Sequence, residues 1–358
     1  WAAVGIVALF FLLRRLWNAR MALVAVILFF GLRGYWELAT QTTMYVPGAA
    51  VLTVLSAVLL GAPPKMGIGR TALIGALLAL AILYHQANLL FALPLGVYLL
   101  SAGGKAGART GLPILALAGA VTLGAYLLVY LRTAAAFSLA GFIDYCLAYT
   151  SEICLGGLCK ASPEGWGALG NLSAGGLQRA LSSLVWNVIV LPERLELLAA
   201  PFFGLGALAL GGWHAVGLAR RSGDGPLRLF GLSWLGVYFV FFWWWLPDYQ
   251  HPFVVALVPL TLLGFLALRD AVNWRPNRPV LVRRVALAVA GAALVLGGRN
   301  FQARVLPLNQ SLGDAYHEAA ALHAAAPPDC VFLTSYRTWN HLRYYFDRQT
   351  AIQARHPL

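Results

Sequence analysis

Gly75-Ala76-Leu77-Leu78-Ala79-Leu80-Ala81-Ile82-Leu83-Tyr84-His85-Gln86-Ala87-Asn88-Leu89-Leu90-Phe91 carries no charge, and its imidazole and amide side chains are gathered between positions 85 and 88. A helix needs about 20 mostly apolar residues to cross a bilayer. Apolar runs at about 71–84 and 87–102 flank this polar point with almost no loop between them, so the stretch reads as a membrane hairpin with a tight turn. The rest of the chain repeats the pattern. Further apolar segments lie at about 1–13, 21–36, 45–61, 111–131, 197–218, 229–246, 252–268 and 285–298. The 358 residues are 60% hydrophobic and 11% charged, with a mean hydropathy of +0.73. Soluble domains carry about 25% charged residues, so a single water-soluble globule and a disordered chain are both excluded. The expectation is an all-α polytopic membrane protein of about ten transmembrane helices.

Lysines and arginines avoid the centres of the apolar segments, where each costs a few kcal/mol, and Arg33 falls at the end of its segment. With the loop at Arg14, Arg15 and Arg20 placed in the cytoplasm, the faces alternate. The same side then receives Lys65, Arg70, Lys105, Arg109, Arg220, Arg221, Arg228, Arg269, Arg275, Arg278, Arg283 and Arg284. The short outer loops hold Arg33 alone, and this bias sets the orientation. It also accounts for the net charge of +13 without nucleic acid, for which no basic stretch interleaved with stacking aromatics is present. Acids behave differently. Only Asp224 and Asp270 fall inside, so 11 of 13 lie outside; acids contribute little to topology, and the excess points to a functional outer surface.

Four regions follow. Residues 1–131 form a transmembrane core and 132–196 an outer loop with amphipathic stretches at about 134–150 and 177–195, of the kind that lie in the interface plane. Residues 197–298 form a second transmembrane bundle. Residues 299–358 form a small extracytoplasmic α/β element, with a β-type run Cys330-Val331-Phe332-Leu333-Thr334. Trp1 opens inside an apolar run with no charged n-region, which reads as the tail of a helix whose start lies upstream.

Candidate chemistry gathers at the outer boundary. Glu37, in Gly34-Tyr35-Trp36-Glu37-Leu38, is either an interfacial acid among belt aromatics or a carboxylate that holds a divalent cation, magnesium or manganese, or an acceptor hydroxyl. His85 and Gln86 either cap helix ends or recognise a phosphate or sugar hydroxyl. Trp243-Trp244-Trp245 is an aromatic girdle, and Asp248 and His251 beyond it could form an acid–base or phosphate-facing pair. His214, within an apolar helix, reads as a packed core residue. Cys154 and Cys159 are close enough in sequence for a disulfide in an oxidising compartment. Tyr336, Trp339 and Tyr344 could stack on a sugar or pack on the membrane core. No Walker loop, dinucleotide fingerprint or nucleophile elbow is present.

The run from Arg20 to Leu100, with Tyr35-Trp36-Glu37, Tyr45, the basic turn and Gly75 through Gln86 followed by Pro94, resembles the membrane core of GT-C glycosyltransferases, the protein O-mannosyltransferase-like branch. The resemblance implies transfer of a sugar from a polyprenyl-phosphate donor to a glycan, lipid or protein acceptor at the outer face of a membrane, in the cell envelope of a bacterium with the active face periplasmic. It places Arg33, His85 and His251 on the lipid phosphate, with Tyr35 and Gln86 beside the substrate. Glu37 and Asp248 are the catalytic carboxylates, Glu37 orienting metal or acceptor. The first helix and first outer loop of that family are missing here, so its principal acid falls upstream of Trp1. Two alternatives stand: an O-antigen ligase or polymerase type of enzyme, and a transporter or membrane scaffold without catalysis, though no two related halves are detectable.

Overall fold

The computed structural model describes residues 1–39, 44–61, 66–133, 137–143, 145–146, 171–191, 193–219, 223–245, 247, 250–273, 279–305, 317–325, 327, 332–334 and 350–352. Eleven helices are named here: α1 (Ala2–Leu16), α2 (Ala19–Phe30), α3 (Arg33–Ala39), α4 (Tyr45–Leu60), α5 (Ile68–Tyr84), α6 (Ala92–Thr133), α7 (Ala174–Val188), α8 (Glu193–Ala219), α9 (Gly225–Trp245), α10 (Val254–Asn273) and α11 (Pro279–Asn300). Short 3₁₀ turns, Gln86–Phe91 and His251–Phe253, precede α6 and α10.

The chain is an all-α membrane protein in its main unit, Trp1–Gly298. Among the described residues four helical runs are long and apolar enough to cross a bilayer: Gln86–Thr133, Leu198–Ala219, Gly225–Trp245 and His251–Asn273. The pair α2 and α3, bent by 65° at its break, makes a fifth if it is counted as one span, and α4 and α5 are shorter apolar helices. Leucine, valine and phenylalanine occupy both faces of these helices. Phe202, Leu208 and Leu123 point outward, as lipid contact allows, while Leu9, Leu52, Leu78, Phe91, Trp234 and Leu262 fill the centre.

α6 is two arms rather than one rod. Gly104 has φ 52° and ψ −132°, a left-handed conformation that glycine adopts without a Cβ clash. The chain reverses there, and Gly107 is brought against the Leu99 carbonyl; a Cβ on Gly107 would lie 1.8 Å from that oxygen. Runs at about 87–102 and 111–131 are thus separate arms, with Lys105 and Arg109 in the reversal.

One end of the bundle is closed by ions. Arg228, 3% exposed, donates to Asp270 and to Nδ1 of His214. An arginine only donates, so His214 accepts at Nδ1 and gives its Nε2 proton to the Leu263 carbonyl at 3.0 Å. Arg269 pairs with Asp224 and Asp270 and donates to the Leu16 carbonyl at 3.1 Å. The two acids on the basic side therefore neutralise the two arginines that helices α9 and α10 bury, and tie them to α1.

In the unit Arg299–Leu358, residues 317–325 are helical. Two three-residue strands, β1 (Phe332–Thr334) and β2 (Thr350–Ile352), pair in parallel with Phe332 opposite Thr350 and Thr334 opposite Ile352. Tyr336, Trp339, Tyr344, Cys154, Cys159 and Cys330 lie outside the described residues.

The reversal at Gly107 makes a prediction. Gly107→Ala should lower the stability of the solubilised protein by about 1–3 kcal/mol, because backbone must shift to admit the methyl. Gly119→Ala, with nothing within 4 Å of the new Cβ, should unfold at or above the wild-type temperature. Equal behaviour of the two variants in thermal unfolding contradicts the reversal.

Candidate functional site

Six elements bring polar and aromatic side chains together at the end opposite the ionic cluster. α10 measures the separation: from His251 to Asp270 is roughly 28 Å at 1.5 Å per residue. This assembly begins on α3, a two-turn helix whose i, i+4 spacing sets Arg33 beside Glu37. Nε of Arg33 donates to Oε2 of Glu37 at 3.1 Å, and the residues are only 3% and 8% exposed. The guanidinium also lies over the indole of Trp186, 4.1 Å from its centroid, where the ring's negative face favours a cation.

From Trp186 a chain of rings crosses the bundle. Its indole is 6.2 Å from the His251 imidazole, which is 6.4 Å from Tyr45. Tyr45 lies 4.9 Å from His85, and His85 6.4 Å from Trp245. The carboxylate of Glu37 acts electrostatically on His251. Arg33, Glu37, His85 and His251, drawn from α3, the turn after α5 and the turn before α10, are thus linked in one continuous chain of contacts through Tyr45, Trp186 and Trp245.

What seats this assembly is α7. Ser173 caps it by accepting from the Gly176 N–H at 3.2 Å, and the helix buries Ala180, Ser183, Leu184, Val185, Trp186 and Asn187. It packs against α3, α8 and α9. Two buried polar side chains hold the segment between α9 and α10: Ser183 Oγ donates to the Pro247 carbonyl at 2.7 Å, and Asn187 Nδ2 to the Gln250 carbonyl at 2.8 Å. Asn187 also lies so near α3 that a Cβ on Gly34 would come within 1.8 Å of its Oδ1. The amphipathic stretch at 177–195 is thus packed into the bundle over most of its length, because its serine and asparagine have loop carbonyls to bond.

On the opposite flank, Asn88 fixes the His85 turn. Its Nδ2 donates to the Ala81 carbonyl at 2.8 Å, and it accepts from Tyr238 Oη at 3.2 Å. His85 accepts the Ala87 N–H at Nδ1, 3.1 Å away, so its neutral ring carries the proton on Nε2. Burial pushes this imidazole down to about 4, and at neutral pH the turn presents a neutral donor.

Two residues expected at the substrate are committed elsewhere. Tyr35 donates to the Ala2 carbonyl at 2.8 Å and packs edge-on to Phe29, so it braces α3 against α1. Gln86 gives Nε2 to Tyr126 Oη at 3.0 Å and to the Cys146 carbonyl at 2.9 Å, which ties the outer turn to the second arm of α6. Neither has its polar atoms in the ring chain. Asp248 lies outside the described residues. Tyr45, Trp186 and Asn187 were not singled out as site residues in the sequence; the only signal for the last two was a Trp-Asn pair on the buried face of an amphipathic stretch.

Among the described residues no three His, Cys, Asp or Glu side chains come together to hold a metal. Glu37, the expected ligand, is paired with the Arg33 guanidinium rather than with the further oxygen donors that magnesium or manganese take. The described residues do not fit a resident divalent cation, and no step is assigned to one. The arrangement suits an anion better: the Arg33 guanidinium and the His85 and His251 imidazoles are enclosed groups of the kind whose charge-assisted bonds are strong. Compared with known proteins, the chain matches no family model and no curated relative.

The depressed His85 pKa carries a sign. Unfolded, the ring takes a proton near pH 6.5; folded, only near 4. Its contribution to stability is therefore complete above about pH 6.5 and is lost as pH falls from there towards 4. His85→Asn, whose amide oxygen can replace Nδ1 as the acceptor for Ala87, should flatten that part of the thermal-stability profile against pH. An unchanged slope between pH 6.5 and 4 refutes the burial of an uncharged ring.

Proposed function

We propose that the chain is an integral-membrane glycosyltransferase of the GT-C type, moving a sugar from a polyprenyl-phosphate donor to a glycan, lipid or protein acceptor at the outer, periplasmic face of a bacterial inner membrane. The proposal includes about ten crossing helices and a small α/β element in residues 299–358. The observation that supports it best is the convergence of Arg33, Glu37, His85 and His251 at the end of the bundle away from the basic loops.

The chemistry asks for those groups. The bond between the sugar's anomeric carbon and the phosphate oxygen breaks, and its electron pair stays on the phosphate. The acceptor oxygen forms the new bond and gives up its proton to a base. Charge that grows on the leaving phosphate is stabilised by donors already in place: the Arg33 guanidinium, pinned between Glu37 and Trp186, and the imidazoles of His85 and His251. Glu37 orients the acceptor hydroxyl, and Asp248 serves as a second carboxylate from the adjoining loop. The lipid tail of the donor stays in the bilayer, so a site at the outer helix ends meets its headgroup without extracting it.

A second reading, transport, draws on the 65° bend between α2 and α3, because broken spans line many transport sites. The two separate in one assay. The protein expressed from its native coding region and reconstituted into vesicles should transfer labelled sugar from a panel of polyprenyl-phosphate sugars with no ion gradient. Arg33→Gln should lower turnover by about 10²–10³, the loss seen when one charge-stabilising donor is removed, with helicity retained. Gradient-driven uptake of a soluble sugar without transfer favours transport. Transfer at the wild-type rate by Arg33→Gln removes the site from the reaction.

A further inference from the structure

At the inner ends of α1, α4 and α5 lies a cavity of about 560 Å³ on the flank of the bundle. Its walls are apolar, with Ala8 and Phe11 from α1, Ala57 from α4 and Leu73 from α5, and its floor carries two arginines, Arg15 and Arg70. Phe11 and Leu73 are each 48% exposed, so the cavity is an open groove on the surface that faces lipid.

The arginines arrive from different helices at one place. Arg15, in the last turn of α1, donates to the Ala57 carbonyl, and Arg70, in the first turn of α5, to the Val58 carbonyl. Consecutive carbonyls in the last turn of α4 lack intrahelical partners, and either arginine would serve as a cap there. Two together set like charges side by side, which is unfavourable unless an anion joins them. No carboxylate is found among the described residues that line the groove. From Arg15 to Ala8 the apolar wall climbs about two helical turns, roughly 10 Å, along α1.

A free phosphate has no use for that wall, and a neutral lipid has no use for the two guanidiniums. An amphiphile with a negative head uses both, and the basic side of a membrane protein faces the leaflet rich in anionic headgroups. We propose that this groove binds one inner-leaflet phospholipid with an anionic headgroup, its phosphate on Arg15 and Arg70 and one acyl chain between Phe11 and Leu73. The site is at the opposite end of the bundle from Arg33 and Glu37, and it stands whether or not sugar transfer does.

The test is native mass spectrometry of the full-length protein released from nanodiscs of phosphatidylglycerol and phosphatidylcholine in equal parts. Wild type should retain one phosphatidylglycerol. Arg15→Gln with Arg70→Gln should weaken retention roughly 30-fold, as loss of two basic contacts to an anionic lipid predicts. Leu73→Trp, which fills the groove with both charges intact, should also lose the lipid, and it keeps the test open if the double variant does not fold. Wild-type retention by a folded variant of either kind overturns the proposal. So does equal retention of phosphatidylcholine, or displacement of the lipid by millimolar inorganic phosphate.

Discussion

Taking a guanidinium and a carboxylate out of water costs several kcal/mol per ion, and Arg33 and Glu37 are both almost fully enclosed. Two features help offset that cost: the i, i+4 geometry of α3, which pairs the two charges, and the indole of Trp186 against the cation. Each depends on the next element. Trp186 is in place because Ser183 and Asn187 bond the carbonyls of Pro247 and Gln250, and those carbonyls lie where they do because α9 and α10 end there. Removing one partner of such a pair leaves the other charged and enclosed, which is more costly than never having built it. A structural ion pair buried at this expense, at the edge of lipid, is a place where function is to be sought.

The two ends of the bundle handle charge in different ways. At one end Arg228 and Arg269 meet Asp224 and Asp270 in matched numbers, with His214 closing the set through a backbone carbonyl. That cluster is self-sufficient and fastens α9 and α10 to α1. At the opposite end the described charges, Arg33 and Glu37, lie in a chain of imidazoles and indoles, whose faces and N–H groups can recognise a sugar or a phosphate. The apolar spans between them hold lipid-facing leucines and phenylalanines. Buried polar and charged side chains therefore gather at the two ends of the bundle.

The sequence made much of this visible. Periodic apolar runs and the placement of arginines between them marked α4, α5, α9 and α10 to within a few residues, because the bilayer penalty on charge is large and local. His85, Arg33, Glu37 and His251 stood out as polar residues at helix ends. Their partnership did not, since it depends on contacts between elements far apart in the chain. Gln86 and Tyr35 looked equivalent to their neighbours in sequence, and only the direction of their bonds, to Tyr126 and to Ala2, separates them. Trp186 was hidden for a related reason: an amphipathic stretch shows that one face is apolar, not whether lipid or protein covers it. The i, i+4 spacing of Arg33 and Glu37 is the sequence signal for their ion pair.

The most direct measurement is the structure of the full-length protein, in a lipid nanodisc, with a polyprenyl phosphate bound. The account predicts phosphate density within hydrogen-bond distance of Arg33 and of an imidazole of His85 or His251, with the isoprenoid tail leaving between the outer helix ends. Phosphate seated elsewhere, with Arg33 and Glu37 untouched and still closed on each other, contradicts it.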